Sequence, residues 1–306
     1  MDSMVEYLRN LTHVLYNGDN RTDRTGVGTR SIFGLQMRFD LRKEFPAVTT
    51  KRLAWRGVVS ELLWFLEGSG DERRLAEILH GTRDTDKKTI WSANAGADYW
   101  QPNAKYEGDL GRVYGVQWRS FRGARAEKVT RTFKGIEHHS YDDTNLITFE
   151  VDQITALIEG IKSDPNSRRH IISAWNPADL PAMALPPCHV MSQFYVNNGE
   201  LSCQMYQRSA DMFLGVPFNI ASYSLLTHMI AHCCDLKVGD FVHSIGDAHI
   251  YNDHVDQVIE QLGRKPLPGP RLVLDCESKN ILDIKMEHIN LLDYQSHAPI
   301  SASMAV

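Results

Sequence analysis

The stretch Leu185-Pro186-Pro187-Cys188-His189 places a cysteine between two prolines and a histidine, and the rest of the chain is organised around it. Each proline fixes its own φ and lacks a backbone N–H, so we expect Cys188 to lie on a stiff turn rather than within a helix. A cysteine presented in this way is typical of a nucleophile. Cysteine is also among the most buried residue types, so a purely structural role is the alternative.

Arginines flank this stretch on both sides of the sequence. Arg168 and Arg169 precede it, and Arg208 follows it within the segment Gln207-Arg208-Ser209. Fixed cations favour a thiolate over a thiol, and planar guanidinium groups also match the oxygens of a phosphate. The pattern therefore indicates either an activated cysteine or an anion site, whereas arginines that are merely solvated or ion-paired are the structural alternative.

The composition describes a globular chain without the features of several other protein classes. It has 306 residues, 42% of them hydrophobic, and a net charge of −5, which argues against a protein that binds nucleic acid over a whole basic face. Five cysteines without framework spacing indicate free thiols in a reducing, cytoplasmic setting. We see no secretory signal, membrane span or metal-ligand spacing in the sequence, so we expect no membrane partner and no metal.

A strongly apolar helix is predicted over residues 54–67, and it contains the acidic residue Glu61. A carboxylate on such a helix commonly points to solvent. If Glu61 is buried, loss of hydration favours its protonated form, which suits general acid-base catalysis.

The segments around the cysteine are predicted as a hairpin followed by a buried helix. Strands are expected over 190–196 and 201–206, joined by a turn at Asn197-Asn198-Gly199. A helix follows over 220–234, with Asn219 in the position of an N-cap. Residues 122–150 change from basic to acidic composition and are interpreted as a surface insertion of unknown role within a single domain, 1–306.

Taken in order, the motifs of the chain resemble those of the thymidylate synthase family over nearly the whole length. The likeness is carried by Asp23-Arg24-Thr25-Gly26, Glu61-Leu62-Leu63-Trp64-Phe65-Leu66, Ser167-Arg168-Arg169, Ala184-Leu185-Pro186-Pro187-Cys188-His189, Gln207-Arg208-Ser209-Ala210-Asp211, Gly215-Val216-Pro217-Phe218-Asn219 and Gly246-Asp247-Ala248-His249-Ile250-Tyr251. The resemblance implies an α+β fold with a large mixed sheet and flanking helices, paired sheet to sheet in a homodimer. It also implies the conversion of deoxyuridylate (dUMP) to thymidylate with 5,10-methylenetetrahydrofolate as cosubstrate.

The same resemblance implies roles for individual residues. Cys188 attacks the pyrimidine, while Glu61, His189 and Tyr114 serve proton transfer and Asn219 recognises the uracil edge. The residues that it places around the nucleotide are Arg24, Gln207, Arg208, Ser209, Asp211, Asn219, His249 and Tyr251, with Arg168 and Arg169 reaching the phosphate of the partner subunit. The residues that it places around the folate are Lys51 near its glutamate tail, Trp91, Asn94, Asp211, Gly215 and Ala305.

The chain departs from the family pattern mainly near its C-terminus. Ser301 stands where a lysine is usual, Ser303 where many relatives have proline, and Arg112 replaces the proline usual before Val113. A looser C-terminal lid would admit water in the last step, so a dUMP hydroxymethylase with the same substrates is the nearest alternative.

Two further hypotheses place the protein in other functional classes. A non-catalytic homologue would use the nucleotide pocket for regulation or RNA binding, although the intact Cys188, Glu61 and Asn219 count against it. Without the resemblance, the Cys188-His189 pair would suggest an acyl-transfer enzyme.

Overall fold

A six-stranded mixed sheet forms the centre of the computed structural model, which describes residues 3–23, 25–133 and 136–304. Its strand order is β1-β2-β8-β7-β6-β5, and β7 and β8 are parallel while the other neighbouring pairs are antiparallel. The strands are β1 Asp19–Arg21, β2 Thr29–Asp40, β5 Ile171–Ser173, β6 His189–Asn197, β7 Glu200–Asp211 and β8 Lys237–Tyr251. The large mixed sheet expected from the sequence is thereby confirmed.

The hairpin that joins β6 to β7 follows from two residues with positive φ. Asn198 has a φ of 51° and Gly199 a φ of 76°. Positive φ at both central positions is the conformation that matches the right-handed twist of paired strands, and asparagine followed by glycine adopts it at low cost. The predicted hairpin is confirmed, and it brings Gln207 of β7 beside His189 of β6.

Helices cover one face of the sheet. They are α1 Ser3–Asn17, α2 Trp55–Glu67, α3 Glu72–His80, α4 Ser92–Ala95, α5 Tyr114–Arg119, α6 Gln153–Ser163, α7 Gly215–Cys233 and α8 Val255–Leu262. The central helix α7 packs against β7 and β8, and on another side against α2. Because α7 is enclosed, apolar residues occur all around it rather than along one stripe.

The start of α7 corrects one expectation from the sequence. The helix begins at Gly215 rather than at residue 220, so Asn219 is a buried residue within it and not an N-cap. The N-cap residue is Leu214, which makes no capping bond through its side chain. The turn before it is held by Asp211, whose Oδ1 accepts from the backbone nitrogens of Phe213 at 2.8 Å and Leu214 at 3.1 Å. Pro217 falls in the first turn, where its missing N–H costs nothing.

Two smaller ribbons complete the fold. Strands β3 Phe121–Phe133 and β4 Ile136–Val151 pair with each other and include residues 122–133 and 136–150 of the segment interpreted as an insertion. Strands β9 Arg271–Leu274 and β10 Ile289–Leu292 form the second antiparallel pair. Within the described ranges, no helix has the length and apolar character needed to cross a bilayer.

Candidate active site

Cys188 lies at the start of β6, and backbone contacts fix its position. Its N–H donates to the Oη of Tyr114 at 2.7 Å, and its carbonyl accepts from the N–H of Arg208 at 2.9 Å. The Arg208 side chain donates from Nε to the carbonyl of Pro187 at 2.9 Å and from a terminal nitrogen to that of Pro186 at 2.8 Å. The turn that the two prolines stiffen is thus held from outside, and the half-buried Cys188 lines a cavity.

This cavity of about 430 Å³ unites residues that are far apart in the sequence. The predicted site residues that line it are Glu61, Trp91, Asn94, Tyr114, Cys188, His189, Gln207, Ser209, Asp211, Gly215, Asn219, His249 and Tyr251. Residues that the sequence analysis did not assign also line it, namely Phe65, Ile90, Leu185, Leu214, Phe218 and Met304. Ile90 and Phe218 directly precede the predicted residues Trp91 and Asn219, which was the only signal for them in the sequence.

Glu61 points into the protein, so the alternative interpretation, in which its carboxylate faces solvent, is wrong. Only 8% of the residue is exposed, and its Oε1 accepts from Nε1 of Trp91 at 2.7 Å. Burial raises the pKa of Glu61 to about 7, although the Trp91 hydrogen bond opposes this by favouring the carboxylate. A carboxyl with this pKa both takes up and releases protons near neutral pH.

His189 and Tyr114 lie beside each other, with ring centroids 5.2 Å apart. Burial lowers the pKa of His189 to about 4, and the adjacent Asn219 amide only partly opposes this, so the imidazole is neutral at pH 7. Burial, together with the Cys188 sulfur, raises the pKa of Tyr114 well above its ordinary value. Both groups therefore serve as neutral hydrogen-bonding partners next to Cys188.

Asn219 projects from α7 into the same cavity, and its amide is already engaged on one side. Its Oδ1 accepts from Nε2 of Gln207 at 3.1 Å. Gln207 in turn is buried on β7 and donates to the carbonyl of Ser209 at 3.0 Å. The amide of Asn219 can present both a donor and an acceptor to a planar ring.

At the end of the cavity where β2, β7 and β8 meet, polar side chains lie close together. His249 Nδ1 is 3.2 Å from Oδ1 of Asp247, and its ring packs edge-on against Tyr251 with centroids 5.2 Å apart. Hydrogen bonds from His249 and Ser31 lower the pKa of Asp247. This carboxylate therefore orients the imidazole at the cavity wall.

The predicted arginine cluster is only partly assembled within one chain. Arg168 and Arg169 are exposed, and Arg169 lines a separate cavity of about 370 Å³. Arg208 holds the turn before Cys188, as described above. Arg24 and Ala305, both predicted to contact substrates, lie outside the described residues.

Lys51 does not line the cavity that contains Cys188 but is buried beside Phe213. Its Nζ donates to the carbonyl of Phe213 at 2.6 Å and lies 3.5 Å from the centre of the Phe213 ring. Burial lowers the pKa of Lys51 to about 8, with partial compensation from Asp211. The ammonium group is thus buried against the start of α7, and the role of Lys51 near a glutamate tail stays a prediction.

Three other cations line a second cavity of about 830 Å³ that adjoins the first. The two cavities share Glu61, Ile90 and Phe218, and the cations of the second are Arg52, Arg56 and Lys88. The sequence analysis did not assign these residues. Arg52 lies in the segment before α2 and Arg56 in the first turn of that helix, so no helical spacing in the sequence connects them.

The C-terminal segment reaches the first cavity through Met304. The carbonyl of Ser303 lies 2.7 Å from Nε2 of His254, while Ser301, Ser303 and Met304 are exposed. Among the described residues, no group of three or more His, Cys, Asp or Glu side chains is arranged as a set of metal ligands.

Comparison with known proteins agrees with this arrangement. The family model of thymidylate synthase matches residues 5–306. The chain belongs to the thymidylate synthase family. It is 49% identical to the thymidylate synthase of Equine herpesvirus 2 over 98% of both chains, and 47% identical to that of Homo sapiens over 99% of this chain and 90% of the human one.

Longer members of the thymidylate synthase family are similar as well. The chain is 50% identical to the bifunctional dihydrofolate reductase-thymidylate synthase of Zea mays, but spans only 54% of that protein. Family membership confirms the resemblance seen in the sequence and the enzyme class, because thymidylate synthases are methyltransferases that use methylenetetrahydrofolate as cosubstrate.

Proposed function

We propose that this chain converts dUMP to thymidylate, and that Cys188 begins the reaction by adding to C6 of the pyrimidine ring. An unsubstituted pyrimidine C5 is a poor nucleophile until a thiolate adds at the neighbouring carbon. The observation that carries the proposal is a single cavity that joins Cys188 to Glu61, His189 and Asn219. Its volume of about 430 Å³ lies within the range of small-molecule sites.

Recognition of the nucleotide is divided among three groups of residues. Asn219 accepts from N3–H of uracil and donates to O4, while His249 and Tyr251 bind the sugar. Ser209 and Arg208 contribute to the phosphate site within the chain, together with Arg24. Support for this division comes from the positions of Asn219, Ser209, His249 and Tyr251 around one cavity with Cys188.

Glu61 is the proton-transfer group in this proposal. Its pKa of about 7 lets it exchange a proton at working pH, directly or through water. Tyr114 fixes the backbone of Cys188 through its 2.7 Å hydrogen bond, and the neutral His189 completes the wall beside it. The burial of all three groups excludes bulk water from the reacting carbon.

The cavity residues also fit a folate. When bound, 5,10-methylenetetrahydrofolate supplies the one-carbon unit and the hydride. Trp91, Ile90 and Phe218 offer flat and apolar surfaces for its rings, with Asn94, Asp211 and Gly215 at the same cavity. Arg52, Arg56 and Lys88 line the adjoining space, so we assign the anionic glutamate tail to them in place of Lys51.

A homodimer would complete the phosphate site. Exposed aromatic residues lie on several strands of the sheet, namely Phe33 on β2 and Tyr195 on β6, which are 82% and 61% accessible, and Tyr206 on β7. Large aromatic groups on a flat sheet face are typical of an interface between subunits. Arg168 and Arg169 are exposed at the edge strand of this sheet, where they are available to a second copy.

The cellular setting that we propose is cytoplasmic. All five cysteines are free thiols. Thiols persist in a reducing compartment, and the nucleophile that we assign requires one.

The deciding experiment supplies dUMP and methylenetetrahydrofolate to the purified chain, follows dihydrofolate by absorbance and identifies the nucleotide by mass. We expect thymidylate and dihydrofolate in equal amounts. Hydroxymethyl-deoxyuridylate without dihydrofolate would contradict the proposal and indicate that water replaces hydride. Formation of neither product would favour a binding protein.

A further inference from the structure

A chain of two hydrogen bonds runs from the interior of the sheet to the cavity wall at Asn219. It begins at His243 on β8, which is 0% exposed. Nε2 of His243 lies 2.9 Å from Oε1 of Gln207, and Nε2 of Gln207 lies 3.1 Å from Oδ1 of Asn219. These two hydrogen bonds therefore connect His243, which does not line the cavity, with Asn219, which does.

The direction of these hydrogen bonds is determined by the carbonyl of Ser209. A carbonyl oxygen only accepts, so the group of Gln207 that lies 3.0 Å from it must be the amide nitrogen. The amide oxygen of Gln207 then faces His243, whose Nε2 must carry a hydrogen. Burial, with a smaller effect of His189, lowers the pKa of His243 to about 3, so the ring stays neutral with its hydrogen on Nε2.

This direction also determines which end of the Asn219 amide is oxygen. The amide nitrogen of Gln207 donates to Oδ1 of Asn219, and a flipped Asn219 would place two N–H groups against each other. Such an unsatisfied contact is costly because both residues are buried. One orientation of the Asn219 amide is therefore selected before any nucleotide binds.

The orientation matters because an amide matches two different pyrimidine edges. Uracil presents a donor at N3 and an acceptor at its C4 oxygen, whereas cytosine presents an acceptor at N3 and a donor amine at C4. Rotation of a free asparagine amide by 180° exchanges its donor and acceptor and converts a match for one base into a match for the other. An asparagine alone does not distinguish the two bases.

We propose that His243 is a positioning residue for substrate specificity, which acts through Gln207, together with the carbonyl of Ser209, to hold Asn219 in the orientation that accepts uracil and rejects cytosine. The inference rests on the proposed function in one respect, that the pyrimidine edge meets Asn219. Rejection of cytosine then comes from repulsion between like groups as well as from attraction to uracil.

The test is equilibrium binding of dUMP and of deoxycytidylate (dCMP), measured by calorimetry without folate, for a set of variants. His243→Phe keeps an aromatic ring of similar size but removes the donor, so the Ser209 carbonyl alone holds the Gln207 amide and the orientation of Asn219 is less strongly fixed. We expect the ratio of dCMP to dUMP dissociation constants to fall by about 10-fold or more. His243→Gln retains an N–H donor and should keep the ratio within about 3-fold of the unmodified chain.

His228→Phe is the matched control, because it makes the same change at another buried ring outside this hydrogen-bond chain. Burial lowers the pKa of His228 to about 4, and its ring lies 5.9 Å from that of Phe45. We expect this variant to lose stability without a change in the binding ratio. An equal loss of discrimination in His228→Phe and His243→Phe would overturn the inference, as would an unchanged ratio in a folded His243→Phe.

Gln207→Glu provides a second test if His243→Phe does not fold. A carboxylate still accepts from His243 but also presents an oxygen to Asn219, which favours the flipped amide. We expect binding to shift towards dCMP relative to dUMP, and a shift away from dCMP or no shift would overturn the inference. Lack of dUMP preference in the unmodified chain would instead contradict the proposed function.

Discussion

Two parts of the protein face the same cavity but are held in place very differently. One is the wall that contains Cys188, and the other is the C-terminal tail. Cys188 is fixed through Tyr114 at 2.7 Å, through the N–H of Arg208 at 2.9 Å, and through the guanidinium bonds to the preceding prolines. The tail, residues 299–304, is anchored through the carbonyl of Ser303 to His254, and Met304 is 50% exposed at the cavity mouth.

The difference reflects two chemical requirements. Covalent addition needs the sulfur within a few tenths of an ångström of its reacting position, so the wall must be built before substrates arrive. Exclusion of water needs a part that closes over substrates after they have entered. Substitutions in the wall should therefore alter the reaction rate, and substitutions in the tail should alter cosubstrate binding.

The largest expected effect comes from Cys188→Ala. Loss of the nucleophile that we propose should reduce thymidylate formation by roughly 10⁴-fold or more. Binding of dUMP, measured by calorimetry, should remain because the recognition residues are unchanged. Cys276→Ala, at a half-buried cysteine outside the cavity lining, should retain full activity; a comparable loss there would contradict the assignment of Cys188.

Glu61→Gln removes the proposed proton-transfer group while keeping an oxygen that can accept from Trp91. We expect the rate of thymidylate formation to fall by about 10²- to 10⁴-fold. The pH profile of kcat/KM for the unmodified chain should have an inflection near 7, which matches the pKa of Glu61, and the variant should lack it. An inflection that persists in Glu61→Gln would assign this titration to another group.

The same substitution should raise stability, with a sign that follows from the pKa. The Glu61 carboxyl ionises near 4.5 when unfolded but near 7 when folded, so the native state binds more protons between these values and loses stability as pH rises. The loss is complete above pH 7 and amounts to roughly 3 kcal/mol. Glu61→Gln should therefore unfold at a higher temperature than the unmodified chain at pH 8, and the two should converge near pH 4.

Arg112→Met tests an ion pair that lies two residues before Tyr114, the residue that holds the backbone of Cys188. Nε of Arg112 lies 2.7 Å from Oδ2 of Asp179, and the two side chains are only 13% and 12% exposed. Removal of the cation leaves a largely buried carboxylate without its charge partner and should cost about 3 kcal/mol in denaturant unfolding. Arg125→Met, which breaks an exposed pair with Glu127, should cost less than about 1 kcal/mol.

The smallest effect is expected for Met304→Ala in the tail. Loss of a partly exposed side chain from the cavity mouth should raise KM for the folate by about 5-fold, since roughly 1 kcal/mol of apolar contact disappears. The affinity for dUMP should stay unchanged. A larger effect on dUMP than on the folate would remove the distinction between wall and tail.

Local patterns in the sequence predicted much of the fold but little of the site's internal contacts. The Asn198-Gly199 turn and the strands beside it follow from backbone preferences, and the structure confirms them. The start of α7 was missed because its N-cap residue, Leu214, has no capping side chain, and the turn before the helix is held by Asp211 instead. The burial of Lys51 does not follow from local patterns, because its partner, the Phe213 carbonyl, lies 162 residues away along the chain.

The sequence by itself determined the family, the cysteine on its stiffened turn and the residue types that surround it, because motifs and proline geometry are properties of short segments. Only the tertiary structure decided that Glu61 is buried against Trp91, and that hydrogen bonds connect Asn219 through Gln207 to His243. Hydration and hydrogen-bond direction depend on neighbours brought from distant segments. These neighbours are defined only once the sheet and α7 have packed together.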